Sequence, residues 1–259
     1  MTRTAAQQEG TFCWIELVTG DSINAQAFYC ALFSWTTDTR TNLQGEAYTL
    51  FFNDGFEVAS CVERKGAQPT PPSHLNQWLS YILVQNCAEM VARAQELDAV
   101  LVHGPSDNDS RSINALLTAP DGSPYGLWQP ILHAGIAQQA RPGNLMWNEL
   151  ATPSTETVKQ HFKQLLNWDH RDVEERPGFI YTGLWKDEQK IAGMFQSQSA
   201  WCSGQPMWIP YFMVHDLRQT TATLEYLKGT LLCGPMVGLP GVWTICRSPQ
   251  GEIFAIMQP

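Results

Sequence analysis

Two glutamates stand in the same short setting, Trp14-Ile-Glu16-Leu17 and Trp147-Asn-Glu149-Leu150. On an extended strand, residues two apart share a face, so each carboxylate lies beside its indole. A carboxylate next to an indole in a poorly solvated pocket has a raised pKa. Such a group can act as a general base or accept hydrogen bonds from a ligand. The competing structural role is a tie between neighbouring strands. Four tyrosines and two further tryptophans join this set: Tyr48, Trp78 and Tyr81, then Tyr181, Trp208 and Tyr211. Aromatic walls with a phenol handle suit a flat or amphiphilic ligand, although sheet packing uses the same residue types. Arg111, in Asp107-Asn-Asp-Ser-Arg111, is a candidate for gripping a carboxylate or phosphate. The matching place later in the chain, near Gly241-Val242, carries no basic residue.

The remaining reactive types carry less. Six histidines, at 74, 103, 133, 161, 170 and 215, show no spacing of a metal site. His74 falls in the Pro69-Thr-Pro-Pro72 loop, His133 in a connecting segment, and His161 and His170 flank a helix on its exposed side. Seven cysteines form no C-x-x-C pair and mostly sit in apolar runs, the pattern of reduced, buried thiols in a cytoplasmic protein. Cys61 has no base near it in sequence and is expected to fill space.

The elements that must position these residues are written twice. A shift of 133 lays Gly10 to Leu17 on Gly143 to Leu150, Trp35 on Trp168, Tyr48 on Tyr181 and Ala59 on Ala192. At 130, Trp78 and Tyr81 meet Trp208 and Tyr211, and at 129 Pro120 and Gly122 meet Pro249 and Gly251. The expected organisation is a loose tail at 1–9, a domain at 10–130, a linker at 131–142 and a second domain at 143–259. In the first half, strands are expected at 12–18, 47–52, 56–62, 78–84, 99–102, 112–118 and 125–129. Helices are expected at 23–33, capped by Asp21 or Ser22 with Ile23, Ala27, Phe28, Ala31 and Leu32 on the apolar spacing, and at 87–97. Asp54-Gly55 marks a hairpin. The unit is βαβββ, twice per domain and four times per chain, an α+β class with mixed sheets.

Composition narrows the field. The 259 residues carry 16 Lys+Arg against 25 Asp+Glu, a formal charge of −9, with 44 % apolar residues. The acidic balance and lack of a basic run argue against nucleic acid and anionic membranes as partners. No apolar stretch approaches the ~20 residues of a membrane span. The polar N-terminus does not read as a secretory signal.

Trp-x-Glu-Leu on the first strand, Phe28-Tyr29-x-x-Leu32-Phe33-x-Trp35 on the first helix, Trp78-x-x-Tyr81-x-x-Val84 and Pro120-Asp121-Gly122 together resemble the vicinal oxygen chelate superfamily. That superfamily includes glyoxalase I, bleomycin-resistance proteins and extradiol dioxygenases, and the likeness is strongest to its tandem-domain, glyoxalase-like branch. The resemblance implies that paired units curl into a partly open barrel around a cavity, where family enzymes hold a divalent metal. Ligands would come from the first strand, at Trp14 and Trp147. The fifth strand would supply a position at or beside Leu79 and Ile209, and the last strand Gly126 and Ala255. Neighbours Trp78, Ser80, Tyr125 and Leu127 supply no strong ligand either. The expectation is therefore no metal cofactor, with a divalent ion as the alternative.

Three functions are consistent with this sequence. One is a metal-independent cytoplasmic protein, monomer or homodimer, binding a small aromatic or amphiphilic molecule through Trp14, Tyr48, Trp78, Tyr81, Arg111, Trp147, Tyr181, Trp208 and Tyr211. Another is a metal-dependent lyase or dioxygenase of the glyoxalase or extradiol type with Glu16 or Glu149 as acid/base. The third is a regulatory or partner-binding module with degenerate cavities.

Overall fold

The computed structural model describes residues 8–42, 45–64, 75–136, 140–197, 204–238 and 241–259, leaving aside the Arg176 side chain. The Pro69–Pro72 loop, His74, Cys202 and most of the N-terminal tail lie outside the described residues. The first sheet contains β1 (Phe12–Thr19), β2 (Thr36–Thr41), β3 (Ala47–Asn53), β4 (Phe56–Glu63), β5 (Gln77–Leu83), β6 (Val100–Asn108), β7 (Ser112–Thr118) and β8 (Pro124–Pro130). Its helices are α1 (Ser22–Phe33) and α2 (Cys87–Glu96). The second sheet contains β9 (Leu145–Thr152), β10 (Trp168–Arg176), β11 (Phe179–Lys186), β12 (Gln189–Gln196), β13 (Met207–Met213), β14 (Thr230–Gly238), β15 (Gly241–Arg247) and β16 (Ile253–Gln258). Its helices are α3 (Thr155–Leu166) and α4 (Leu217–Tyr226).

Both sheets have eight strands in one order, β2-β3-β4-β1-β5-β8-β7-β6 and β10-β11-β12-β9-β13-β16-β15-β14. Each is a mixed sheet, with β1 parallel to β4 and antiparallel to β5, and β5 parallel to β8. These are two tandem glyoxalase-like domains, each of two βαβββ units curled into a half-barrel. The chain writes two elements that the sequence pattern hides. β2, Thr-Thr-Asp-Thr-Arg-Thr, is nearly all exposed and so has no apolar alternation, as does its mate β10. β6 runs to Asn108, well beyond the expected 99–102, and takes His103 into the strand.

The helices lie between the two sheets. α1 starts where the Asp21 carboxylate caps the Asn24 amide at 3.1 Å and ends at Ser34 in the left-handed region, φ 58°. It buries Ala25, Phe28, Tyr29, Leu32 and Phe33, whereas Ile23 and Ala27, expected on the apolar face, point to solvent. That buried face meets α4 and residues Phe212 and Phe254 of the second sheet. α2 and α3 meet likewise, with Val91, Val158, Phe162 and Trp208 in one core. The two halves are further cross-laced by their tryptophans. Trp35 Nε1 donates to the Gly143 carbonyl at 3.0 Å, and Trp168 Nε1 to the Gly10 carbonyl at 2.7 Å. Trp35 and Trp168, and Gly10 and Gly143, are repeat mates, so the exchange is reciprocal. His161, expected on an exposed helix flank, is 3 % exposed and bonds the Tyr125 hydroxyl across this interface. Burying one indole contributes about 2–3 kcal/mol, so these contacts weld the halves together.

Candidate functional site

The inner faces of the sheets carry the two Trp-x-Glu pairs in matching networks. In the first, Ser60 Oγ accepts from Trp14 Nε1 at 3.0 Å and donates to Glu16 at 3.0 Å. Tyr81 donates to the other Glu16 oxygen at 3.0 Å. In the second, the Tyr211 hydroxyl donates to Glu149, and the Tyr181 hydroxyl bonds Glu149 while accepting from Trp147 Nε1 at 3.3 Å. Gly193 stands where Ser60 stands in the first sheet. A Cβ there would lie 1.8 Å from the Tyr181 oxygen. The missing side chain is what lets a phenol take the place of the serine hydroxyl. The repeat mate Tyr48 instead donates to Asp109 at 2.9 Å.

Burial pushes both Glu16 and Glu149 above the ordinary carboxylate range, and the hydroxyl donors only partly offset it. Burial, reinforced by the facing carboxylate, also pushes the Tyr81 and Tyr211 phenols well up. They stay protonated donors. Cys61 is buried and its thiol is raised by burial and then by Glu16, so it is no nucleophile.

Trp78 and Trp208 do not belong to either site, contrary to the sequence reading. They stand three residues before Tyr81 and Tyr211, an odd spacing that puts them on the opposite face of the strand. Trp78 Nε1 donates to the Tyr29 hydroxyl at 3.0 Å, and Trp208 packs on Phe12 at 4.8 Å, both in the core between the sheets.

Of the sequence candidates, Trp14, Glu16, Tyr48, Tyr81 and Arg111 remain on the first concave face, and the chain itself covers it. Three successive amides, Ile131, Leu132 and His133, converge on the Arg111 carbonyl, and the Ile136 amide donates to the Cys13 carbonyl at 2.7 Å. The His133 ring sits edge-on to Trp14, centroids 4.9 Å apart, and beside Trp128. Its Nδ1 accepts from the Gly135 amide at 3.2 Å, which places the proton on Nε2, and Nε2 donates to Glu57 at 2.7 Å. Arg111 forks onto the same Glu57 carboxylate and lies over Trp14, 5.9 Å from its centroid. Arg111 is therefore spent on Glu57 rather than held for a ligand. Burial opposes ionisation of Glu57, but the His133 and Arg111 hydrogen bonds prevail and hold its pKa down at about 2. Trp14 is left 1 % exposed.

The second concave face is open. A cavity of about 1030 Å³ there is lined by Trp147, Glu149, Phe179, Tyr181, Lys190 and Trp243, among others. Cys233, Met236 and Met257 add soft apolar surface, and Ile180 and Val237 stand exposed at its rim. Lys159 also lines it, but bonds Glu156 at 2.6 Å and Asp172 at 2.8 Å. Lys190 was missed in the sequence: its Nζ lies 5.3 Å from the Trp147 centroid and 4.9 Å from that of Tyr181. A smaller hollow of about 500 Å³ by α4, lined by Leu217, Leu231 and Val242, contains none of the candidate residues.

The strand register also corrects the fifth-strand position. Tyr81 lies level with Trp14 and Gly126, and Tyr211 with Trp147 and Ala255, in place of Leu79 and Ile209. Each set offers one phenol, no imidazole and no carboxylate, which does not fit a resident divalent metal. Among the described residues no three His, Cys, Asp or Glu side chains gather as metal ligands would.

No protein-family model matches the chain. The glyoxylase-named protein CFP32 of Mycobacterium tuberculosis is 26 % identical over 270 residues, covering 100 % of this chain and 98 % of that protein. The anthracycline biosynthesis protein DauV of Streptomyces sp. (strain C5) is 21 % identical, covering 100 % of this chain and 95 % of its own length. The Mn(II)-bound glyoxalase from Novosphingobium aromaticivorans superposes with a TM-score of 0.67 at 11 % identity, covering 97 % of this chain and 82 % of that one. The two curled βαβββ pairs give the chain the tandem glyoxalase-like fold, and these likenesses support the vicinal oxygen chelate superfamily. Among the described residues, no helix is long and apolar enough to cross a membrane.

Proposed function

We propose that the protein binds a small aromatic or amphiphilic molecule in the cavity of its second sheet, without a metal. The carrying observation is the contrast between the two concave faces. One is covered by residues 131–136, while the other keeps a cavity of about 1030 Å³ walled by Trp147, Tyr181 and Trp243. That volume matches the size at which pockets enclose drug-sized ligands. The apolar walls supply affinity, and Glu149 with its phenols supplies a polar floor to orient the ligand. The DauV name, which refers to anthracycline biosynthesis, supports an aromatic ligand. The level trio Trp147, Tyr211 and Ala255 supports binding without a metal. The six described cysteines are free thiols, which supports a reducing, cytoplasmic setting for a monomer or homodimer.

One observation favours catalysis instead. Glu149 is a buried carboxylate with a raised pKa on a cavity floor, the environment of a general base. On that reading the protein is a lyase or dioxygenase of the glyoxalase or extradiol type. Elemental analysis after incubation with Fe(II), Mn(II), Ni(II) or Zn(II) separates the two. No retained metal, together with saturable tryptophan quenching by flat aromatic molecules, is the result expected here. One tightly held ion per chain would overturn it.

A further inference from the structure

The first cavity shows what its own walls select, because the chain has seated a group in it. That group is the His133 ring, edge-on to Trp14, with its Nε2–H donated to Glu57. Glu57 pairs with Phe52 next to a bulge in the β3–β4 ladder. Lys190 pairs with Trp185 next to the same bulge in the β11–β12 ladder. A shift of 133 therefore maps the acceptor Glu57 onto the donor Lys190, and Trp14 onto Trp147. Arg111, which answers the Glu57 charge in the first cavity, maps onto Gly241. Hydrogen-bond sense is inverted at one position while the indole wall is kept.

Lys190 is built into its place. Its stem crosses Gly183, where a Cβ would lie 2.9 Å from Lys190 Cε, and its ammonium rests over the Trp147 and Tyr181 rings. Among the described residues, no carboxylate lies within ion-pair distance of it, although its charge acts at longer range on Glu149. The other cavity lysine, Lys159, is already engaged by Glu156 and Asp172.

We infer that the second cavity selects an aromatic molecule bearing an anionic oxygen, a carboxylate or phenolate, which Lys190 holds against the face of Trp147. This rests on the binding reading above and adds the charge of the ligand. The overall acidity of the chain opposes anions at long range, so the preference is local and set by Lys190 at contact distance.

Three naphthalene probes of equal size test it on the intact chain: 2-naphthoate, 2-naphthamide and 2-naphthylmethylammonium, followed by tryptophan quenching. The naphthoate is expected to bind about tenfold tighter than the amide, equivalent to about 1.4 kcal/mol, with the ammonium weakest. Lys190→Glu should abolish or reverse that order, and Lys190→Arg should preserve it. Lys190 is exposed, so unfolding midpoints should match wild type; Lys190→Gln gives the same reading without a new charge. Equal binding of all three probes, a preference for the ammonium, or an order unmoved by Lys190→Glu would overturn the inference and leave the binding reading standing. No binding of any probe would overturn both.

Discussion

Replacing Glu57 by Gln tests whether residues 131–136 really cap the first cavity. Glu57 is the point where the segment is clasped, since His133 Nε2 and the Arg111 guanidinium both end on it. Its pKa is held from an ordinary 4.5 to about 2. At about 1.4 kcal/mol per pH unit, the ionised carboxylate stabilises the fold by about 3 kcal/mol. Partial solvent access screens this, and about 2 kcal/mol is the expected loss in Glu57→Gln at pH 7. A lowered folded-state pKa gives stability that is complete above the unfolded value of 4.5 and is lost as pH falls toward 2. The gap between wild type and variant should thus shrink by more than half near pH 3. Urea unfolding at a series of pH values measures the gap, and hydrogen exchange of the Ile131 to Ile136 amides locates it. A gap under about 0.5 kcal/mol at pH 7, with exchange unchanged in that segment, would refute the clasp.

Gly193→Ala should cost about 1–3 kcal/mol and weaken ligand binding, because its Cβ displaces the Tyr181 hydroxyl from Glu149. Adding Tyr181→Phe should cost less in that background than in wild type, a non-additivity that a double-mutant cycle reads directly. Trp168→Phe keeps the ring but loses the bond to the Gly10 carbonyl, for about 1 kcal/mol in denaturant unfolding, and Trp35→Phe should match it through Gly143. Glu149 has the opposite pH behaviour to Glu57. Its raised pKa means the folded state prefers the neutral acid, so its favourable share is full below pH 4.5 and lost as pH rises toward the raised value. Glu149→Gln should flatten that fall in unfolding free energy between pH 4 and 7.

The repeat carried most of the fold into view. Trp-x-Glu at spacing two placed Glu16 and Glu149 correctly on the indole side, and the hairpin at Asp54-Gly55 joined β3 to β4. Trp78 and Trp208 were misplaced by the same parity rule applied loosely, since Tyr81 and Trp78 cannot face one way. β2 and β10 escaped notice because exposed edge strands need no apolar alternation. The covering of the first cavity was not legible. Ile131 to Pro142 has the composition of a connector, and nothing local says that His133 will turn back onto Glu57. Lys190 was illegible for a related reason. A lysine opposite a glutamate in an internal repeat looks like surface drift until the group facing Glu57 is known.

Binding in the second cavity without metal is the central claim. Calorimetric titration of chelator-dialysed protein with 2-naphthoate, beside the Trp147→Ala variant, tests this most directly. One site per chain, unchanged by added metal and weakened at least about tenfold by the loss of the indole, is the predicted result. Binding that appears only after Fe(II) or Mn(II) is added, or that survives intact in Trp147→Ala, would contradict it.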